Sequence, residues 1–195
     1  MGVSVENIET ESWNKMRSGD VDSLSWIYDR YFKLLYNYGK KLNRDDRSVE
    51  DAIHDLFVDL WNSRQNLSPT TSVRFYLYRA LRRRLARNHS DKDIFRERSL
   101  DENDLFQIEK CIEEQIVQEE TLNLWIDHLK KMLNDLSPRQ YEAMVLRFYD
   151  NFSFDEIGAI LGVNGQSARN LVQRGLAQLR QYSKLLPALL LLILR

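Results

Sequence analysis

The chain has 195 residues, 43% of them apolar and 29% charged, which suits a folded core in one domain or two small ones. A net charge of −1 excludes a uniformly basic nucleic-acid coat, so a nucleic-acid role has to rest on local basic segments balanced by acidic ones. One cysteine, Cys111, excludes an internal disulfide and suits a reducing cytoplasm, while three prolines and seven glycines leave little room for a turn-rich β fold. Runs at helical spacing dominate instead, and the expected class is all-α, as two small helical domains.

The opening MGVSVENIETESW is acidic, lacks the apolar run of a signal peptide and does not match the myristoylation pattern. Residues 1 to about 19 read as a short helix or a loose arm, anchored by Trp13 and Met16. Asp20 is a good N-cap for a long amphipathic helix carrying Leu24, Ile27, Tyr28, Tyr31, Leu34, Leu35, Tyr38 and Leu42. An aromatic stripe of this kind is core material rather than a ligand box. After a polar turn at Asn43 to Arg47, SVEDAIHDLFVDLWN predicts a helix from Ser48 to Asn62, opened by a capping box of Ser48 and Asp51. Val49, Ala52, Ile53, Leu56, Phe57, Leu60 and Trp61 pack inward. Asp51, Asp55 and Asp59 form one i, i+4 row, a spacing at which like charges repel. The helix dipole favours acid only in the first turn. A solvated acidic face and a docking face for a basic partner both remain open.

Arg64 to Thr71 is a polar loop containing a proline, and Ser72 caps a helix reading SVRFYLYRALRRRLARN. Val73, Tyr76, Leu77, Ala80, Leu81 and Leu85 form its core stripe; Arg74, Arg79, Arg82, Arg83, Arg84 and Arg87 cover much of the remainder. From Arg74 to Arg98 nine basic residues face three acidic ones. Beside Phe75, Tyr76 and Tyr78 they offer phosphate neutralisation together with rings for base stacking, although a solvated basic face has the same composition. The character then reverses: Asp101 to Glu120 holds eight acidic residues and one basic. With Leu105, Ile108, Ile112 and Ile116 at helical spacing, it reads as a partly helical linker. The expected boundaries are an N-terminal domain at 1–90, a linker at 91–118, a C-terminal domain at 119–184 and an apolar tail at 185–195.

In the last domain Leu122, Trp125, Ile126, Leu129, Met132 and Leu133 mark one helix, and Ser137-Pro138-Arg139-Gln140 starts the next, packed by Tyr141, Met144, Val145, Phe148 and Tyr149. Ser153 and Glu156 form a capping box, Ile157, Ile160 and Leu161 an apolar face, Gly162 a C-terminal stop and Val163 a corner plug. A second helix runs from about Gln166 with Ala168, Leu171, Val172, Leu176 and Leu179 inward. This is a helix-turn-helix, whose second helix can lie in a major groove. Gln166, Ser167, Arg169, Asn170, Gln173 and Arg174 face outward. No acidic residue lies between Gly165 and Lys184, against four basic ones, Arg169, Arg174, Arg180 and Lys184. Arg can grip guanine edges, and Asn or Gln adenine. The ten residues Leu185 to Leu194, interrupted by Pro187, cannot span a bilayer as a helix and are expected to pack on their own domain or a partner.

In this order SVEDAIHDLFVDLWNSRQNL, SVRFYLYRALRRRLARN and LSPRQYEAMVLRFYDNFSFDEIGAILGVNGQSARNLVQRGLAQLR resemble the extracytoplasmic-function sigma factors of bacterial RNA polymerase, from about Asp20 to Lys184. The resemblance implies a cytoplasmic, non-enzymatic subunit that binds core RNA polymerase through its β′ and β subunits and directs it to promoter DNA. It implies that Asp51, Asp55 and Asp59 dock on the β′ clamp helices. It places the minus-ten reader at Asn66, Ser68, Thr70, Arg74, Tyr78, Arg82, Arg83 and Arg87, and the minus-thirty-five reader at Gln166, Ser167, Arg169, Asn170, Gln173 and Arg174. The acidic linker would thread toward the active cleft and RNA exit path, and an anti-sigma factor is an expected partner. The sequence departs from the family pattern at Gly158 and Gly175, where alanine is common, at Gly165, and at His54, which replaces a frequent glutamine. His54, His89 and His128 have no second ligand at metal spacing, so neither metal nor cofactor is expected. With no P-loop or nucleophile–base pair, catalysis and a small-molecule substrate are not expected either. The alternative is a stand-alone helix-turn-helix regulator, which leaves the acidic row and the Arg-rich helix without a purpose.

Overall fold

The computed structural model describes residues 5–43, 45–88 and 135–180. The chain divides into two compact units, Met1–Arg96 and Glu97–Arg195, and the described residues of both are helical. In the first unit α1 (Val5–Arg17) is a true helix rather than a loose arm. Its anchors Trp13 and Met16 are fully buried, which gives it a share of the core. Asp20 caps α2 (Val21–Leu42), accepting the Ser23 N–H at 3.1 Å. Ile27, Tyr31, Leu35, Tyr38 and Leu42 form the buried face of α2.

Helix α3 (Asp46–Asn62) begins half a turn before Ser48, so the expected Ser48–Asp51 box does not open it. The Ser48 hydroxyl instead accepts the Asn43 side-chain amide at 3.3 Å. Val49, Ala52, Ile53, Leu56, Phe57 and Leu60 of α3 are buried as expected. A short 3-10 turn (Arg64–Asn66) leads through the loop to α4 (Val73–Asn88), whose first turn is capped by Ser72 accepting the Phe75 N–H at 3.2 Å. Helices α2, α3 and α4 pack on one another, with α1 laid against α2 and α4.

In the second unit the capping box at Ser137 and Gln140 opens α5 (Pro138–Met144). Its end widens into a π turn (Val145–Tyr149), where Asp150 N–H reaches Val145 O at 3.1 Å. The extra residue in that turn rotates the register. Leu146 becomes buried, while Phe148 and Tyr149, expected to pack inward, are about half exposed (47% and 54%). Ser153 and Glu156 close the second box at the start of α6 (Phe154–Leu161), with Ser153 N–H donating to Glu156 Oε2 at 2.8 Å. Gly162 ends α6 at φ +71°, a left-handed backbone that glycine adopts freely. Helix α7 (Gly165–Arg180) follows, its first turn capped by Asn164 Oδ1 accepting the Ser167 N–H at 2.7 Å. The helical patterns expected over 101–133 and the apolar tail lie outside the described residues.

Candidate nucleic-acid and polymerase interfaces

Three charged surfaces emerge from these elements. The first is the loop before α4 together with the arginine-covered side of that helix. Asn66 and Ser68 are exposed in the loop. Thr70 is committed to the loop's own geometry: its hydroxyl donates to the Ser72 carbonyl at 3.1 Å and accepts the Ser72 N–H at 3.2 Å. On α4, Arg83 is exposed, while Arg74 and Arg82 are half-buried; the Arg87 side chain lies outside the described residues. Tyr78 is not on this surface. It is fully buried, with its ring 4.8 Å from that of Tyr38, and cannot stack on a base. Tyr76 is also drawn inward, packed edge-on against Trp13 at 4.9 Å, and burial pushes its phenol pKa up. The aromatic rings of α4 therefore serve mainly the core, and phosphate neutralisation is what this face offers.

Two α1 residues touch the same loop: Trp13, expected only as a core anchor, and Arg17, to which the sequence assigns no role. Trp13 Nε1 donates to the Ser68 carbonyl at 3.1 Å, and Arg17 Nε donates to the Leu67 carbonyl at 2.6 Å. They stand 55 and 50 positions away, and no local pattern connects such distant residues.

The second surface is the acidic row of α3. Asp51, Asp55 and Asp59 are all exposed along one side, as the spacing requires. Asp55 and Asp59 are bridged by Arg84 of α4: its Nη1 is 3.1 Å from Asp55 Oδ2, and its Nη2 pairs with Asp59. This cation relieves the like-charge repulsion within the row, yet both carboxylates keep most of their surface in solvent. His54, on the same helix, stacks on Tyr28 at 5.9 Å between centroids. Among the described residues no group of His, Cys, Asp and Glu is arranged to hold a metal ion. No described helix is long and apolar enough to cross a membrane.

The third surface is α7. Gln166, Arg169, Asn170, Gln173 and Arg174 are exposed and Ser167 is half-buried at the first turn, while Ala168, Val172 and Gly175 face the core. Gln166 Nε2 donates to Asn170 Oδ1 at 3.1 Å, pairing two candidate adenine readers. The Arg169 guanidinium lies 4.9 Å from the Phe154 ring, which also carries Arg147 at 4.9 Å. Phe154 thus restrains the direction in which Arg169 projects. The glycine departures have a steric cause. A Cβ at Gly158 would stand 2.8 Å from Val163 O and 2.9 Å from Gly165 N, and one at Gly165 would collide with the Asp155 carboxylate. At Gly158 the obstructing atoms are backbone, so an alanine there would force the turn to shift.

This geometry accords with the comparisons to known proteins. Residues 27–93 match the Sigma-70 region 2 family and residues 126–179 the Sigma-70 region 4 family. The ECF RNA polymerase sigma factor SigE of Mycolicibacterium smegmatis is 30% identical over 155 residues, 79% of this chain and 57% of that protein. The RNA polymerase sigma factor CarQ of Myxococcus xanthus is 23% identical over 167 residues, 86% of this chain and 92% of that protein. Thus the chain spans little more than half the length of the first relative and most of the second. Two solved structures share the fold. CnrH in complex with the cytosolic domain of CnrY has a TM-score of 0.62 at 19% identity, covering 93% of this chain and 98% of that one. RpoE in complex with the anti-sigma factor NepR from Bartonella quintana has a TM-score of 0.52 at 23% identity, covering 80% and 94%. With region 2 on the unit that carries the acidic row and the Arg-rich helix, and region 4 on the unit that carries the helix-turn-helix, the chain belongs to the Sigma-70 family and is similar to its extracytoplasmic-function members.

Proposed function

We propose that this protein is a promoter-specificity subunit that binds core RNA polymerase, directs initiation and catalyses nothing itself. The observation that carries the reading is the joint presence, in one chain, of a region 2 unit and a region 4 unit, each with an exposed basic face. A stand-alone helix-turn-helix regulator has no use for the first of these units.

The division of labour follows from the chemistry of each face. Asp51, Asp55 and Asp59 offer an exposed carboxylate row to a basic surface on the polymerase β′ subunit, with further contact to β. The loop at Asn66, Ser68 and Thr70, with Arg74, Arg82, Arg83 and Arg87, reads the minus-ten element. Extruding a base there costs a few kcal/mol, and arginine contacts to the phosphates offset that cost. Helix α7 reads the minus-thirty-five element through Gln166, Ser167, Arg169, Asn170, Gln173 and Arg174. In this assignment residues 1–90 bind core and the minus-ten element, 91–118 form the acidic linker, 119–184 bind the upstream element, and 185–195 are an apolar packing tail. The site of action is the cytoplasm, where polymerase and promoter DNA are found. The two structural neighbours were each solved with a bound partner, one of them an anti-sigma factor, which supports a similar inhibitor as a partner here.

Binding measurements on the full chain separate these roles. Arg169→Ala and Arg174→Ala should each weaken upstream-element duplex binding by about 1–3 kcal/mol if they read bases, with core affinity unchanged. Asp51→Ala should do the reverse. Equal loss of both activities in every variant would contradict the assignment and point to misfolding.

A further inference from the structure

Two successive carbonyl groups of the minus-ten loop are held by side chains of α1. Arg17 Nε meets Leu67 O at 2.6 Å and Trp13 Nε1 meets Ser68 O at 3.1 Å. Both donors are themselves fixed. Trp13 is fully buried, with its ring edge-on to Tyr76 of α4 at 4.9 Å, and Arg17 Nη1 donates to Asn14 Oδ1 at 3.2 Å. The loop side of this arrangement has little burial of its own: Ser68, Pro69 and Thr71 are exposed. Its local bonds are Asn66 N–H to Ser63 O at 2.8 Å, Leu67 N–H to Arg64 O at 3.3 Å and Thr70 to Ser72, while the Leu67 and Ser68 carbonyls are met by α1. The two anchored carbonyls belong to residues 67 and 68, next to Asn66, and so set the backbone direction from which Asn66 and Ser68 project.

We infer that Trp13 and Arg17 are positioning residues for minus-ten recognition, holding the loop from Asn66 to Thr71 in its reading conformation. This rests on the assignment of that loop as a minus-ten reader. A loop already ordered in the free protein loses less conformational entropy when it captures a base, so the gain falls on the melting step rather than on polymerase binding. The N-terminal helix is then a working part of promoter opening.

The test uses the full chain assembled with core RNA polymerase. Trp13→Phe keeps an apolar ring and removes the N–H donor; Arg17→Ala removes the other donor, from a half-buried position. Three quantities are measured: core affinity, open-complex formation on a matched promoter, and the ratio of open complexes across single-base variants of the minus-ten element. Each variant should lower open-complex formation by roughly 5- to 10-fold, the effect of losing one hydrogen bond of ordinary strength. Each should also flatten the base discrimination while leaving core affinity unchanged. Asn66→Ala serves as the control for the loop itself. If Asn66→Ala alters discrimination and the α1 variants do not, the inference is overturned and the loop assignment stands. If none of the three alters it, the loop assignment fails and the inference with it. A parallel fall in core affinity and open complexes, with discrimination intact, would reduce Trp13 and Arg17 to fold stability and also overturn it.

Discussion

Replacing Arg84 with alanine tests whether the acidic face of α3 is a docking surface with its own internal counter-ion. In the native fold Arg84 bridges Asp55 and Asp59, its side chain 27% exposed against 68% and 71% for the two carboxylates. Because the acids are largely in water, each pair is worth about 0.2–1 kcal/mol. Removing the cation also uncovers the repulsion between Asp55 and Asp59, a few tenths of a kcal/mol at this spacing. The first unit should therefore lose about 1 kcal/mol, a fall in Tm of about 4–8 °C for a unit of this size. The loss should shrink at high salt. The face itself changes in the opposite sense: three carboxylates and one guanidinium, net −2, become net −3. Core affinity should hold or rise at low salt. Thermal unfolding and core-binding titrations, each at low and high salt, read the two effects separately. An unchanged Tm would refute the bridge. A fall in core affinity of about tenfold or more, equivalent to 1.4 kcal/mol, would show that Arg84 itself, and not the acids, meets the polymerase.

Further outcomes follow from the same structure. Tyr78→Ala removes a fully buried ring packed on Tyr38 and should cost about 3–5 kcal/mol by denaturant unfolding; lost promoter opening with unchanged stability would return Tyr78 to the DNA surface. Ser153→Ala breaks the capping box of α6 and should cost about 1 kcal/mol, seen as a lower denaturation midpoint of the second unit. The acid limb also carries a signature at Asp20. The Ser23 hydroxyl, followed by the Ser23 N–H, holds its carboxyl below the ordinary value of 3.8. A pKa lower in the folded than in the unfolded chain contributes stability that is complete above pH 3.8 and is lost as pH falls through the folded value. Denaturation at a series of acid pH values should therefore show a shallower decline for Asp20→Asn than for the parent.

Local signals in the sequence carried well into three dimensions, and signals that depend on packing did not. The boxes at Ser137 and Ser153 were legible because each is closed by a residue three positions on. The core face of α2 was legible because its apolar spacing is regular over 22 residues. The start of α3 was misplaced because Ser48 has the residue type of a cap but is already inside the helix. On α4 a near-continuous run of arginines conceals the inward side, and the buried stripe widens to hold Tyr78 beside Leu77. Phe148 and Tyr149 were misplaced because a π turn breaks the 3.6-residue period on which the expectation stood. At the candidate sites the charged side chains were legible by type and spacing. The partners that orient them were not: Arg84 lies 25 and 29 positions from its acids, and Trp13 and Arg17 lie 50 or more from the loop they hold.

One chain that couples polymerase binding to promoter choice must do both in a single reconstituted reaction. The decisive experiment adds the full-length protein to core RNA polymerase, at moderate salt, on templates whose minus-ten or minus-thirty-five element is intact or scrambled. Transcripts should begin at one position, require the protein, and disappear when either element is scrambled. No binding to core under these conditions, or tight duplex binding as a dimer with no effect on transcript start, would contradict it.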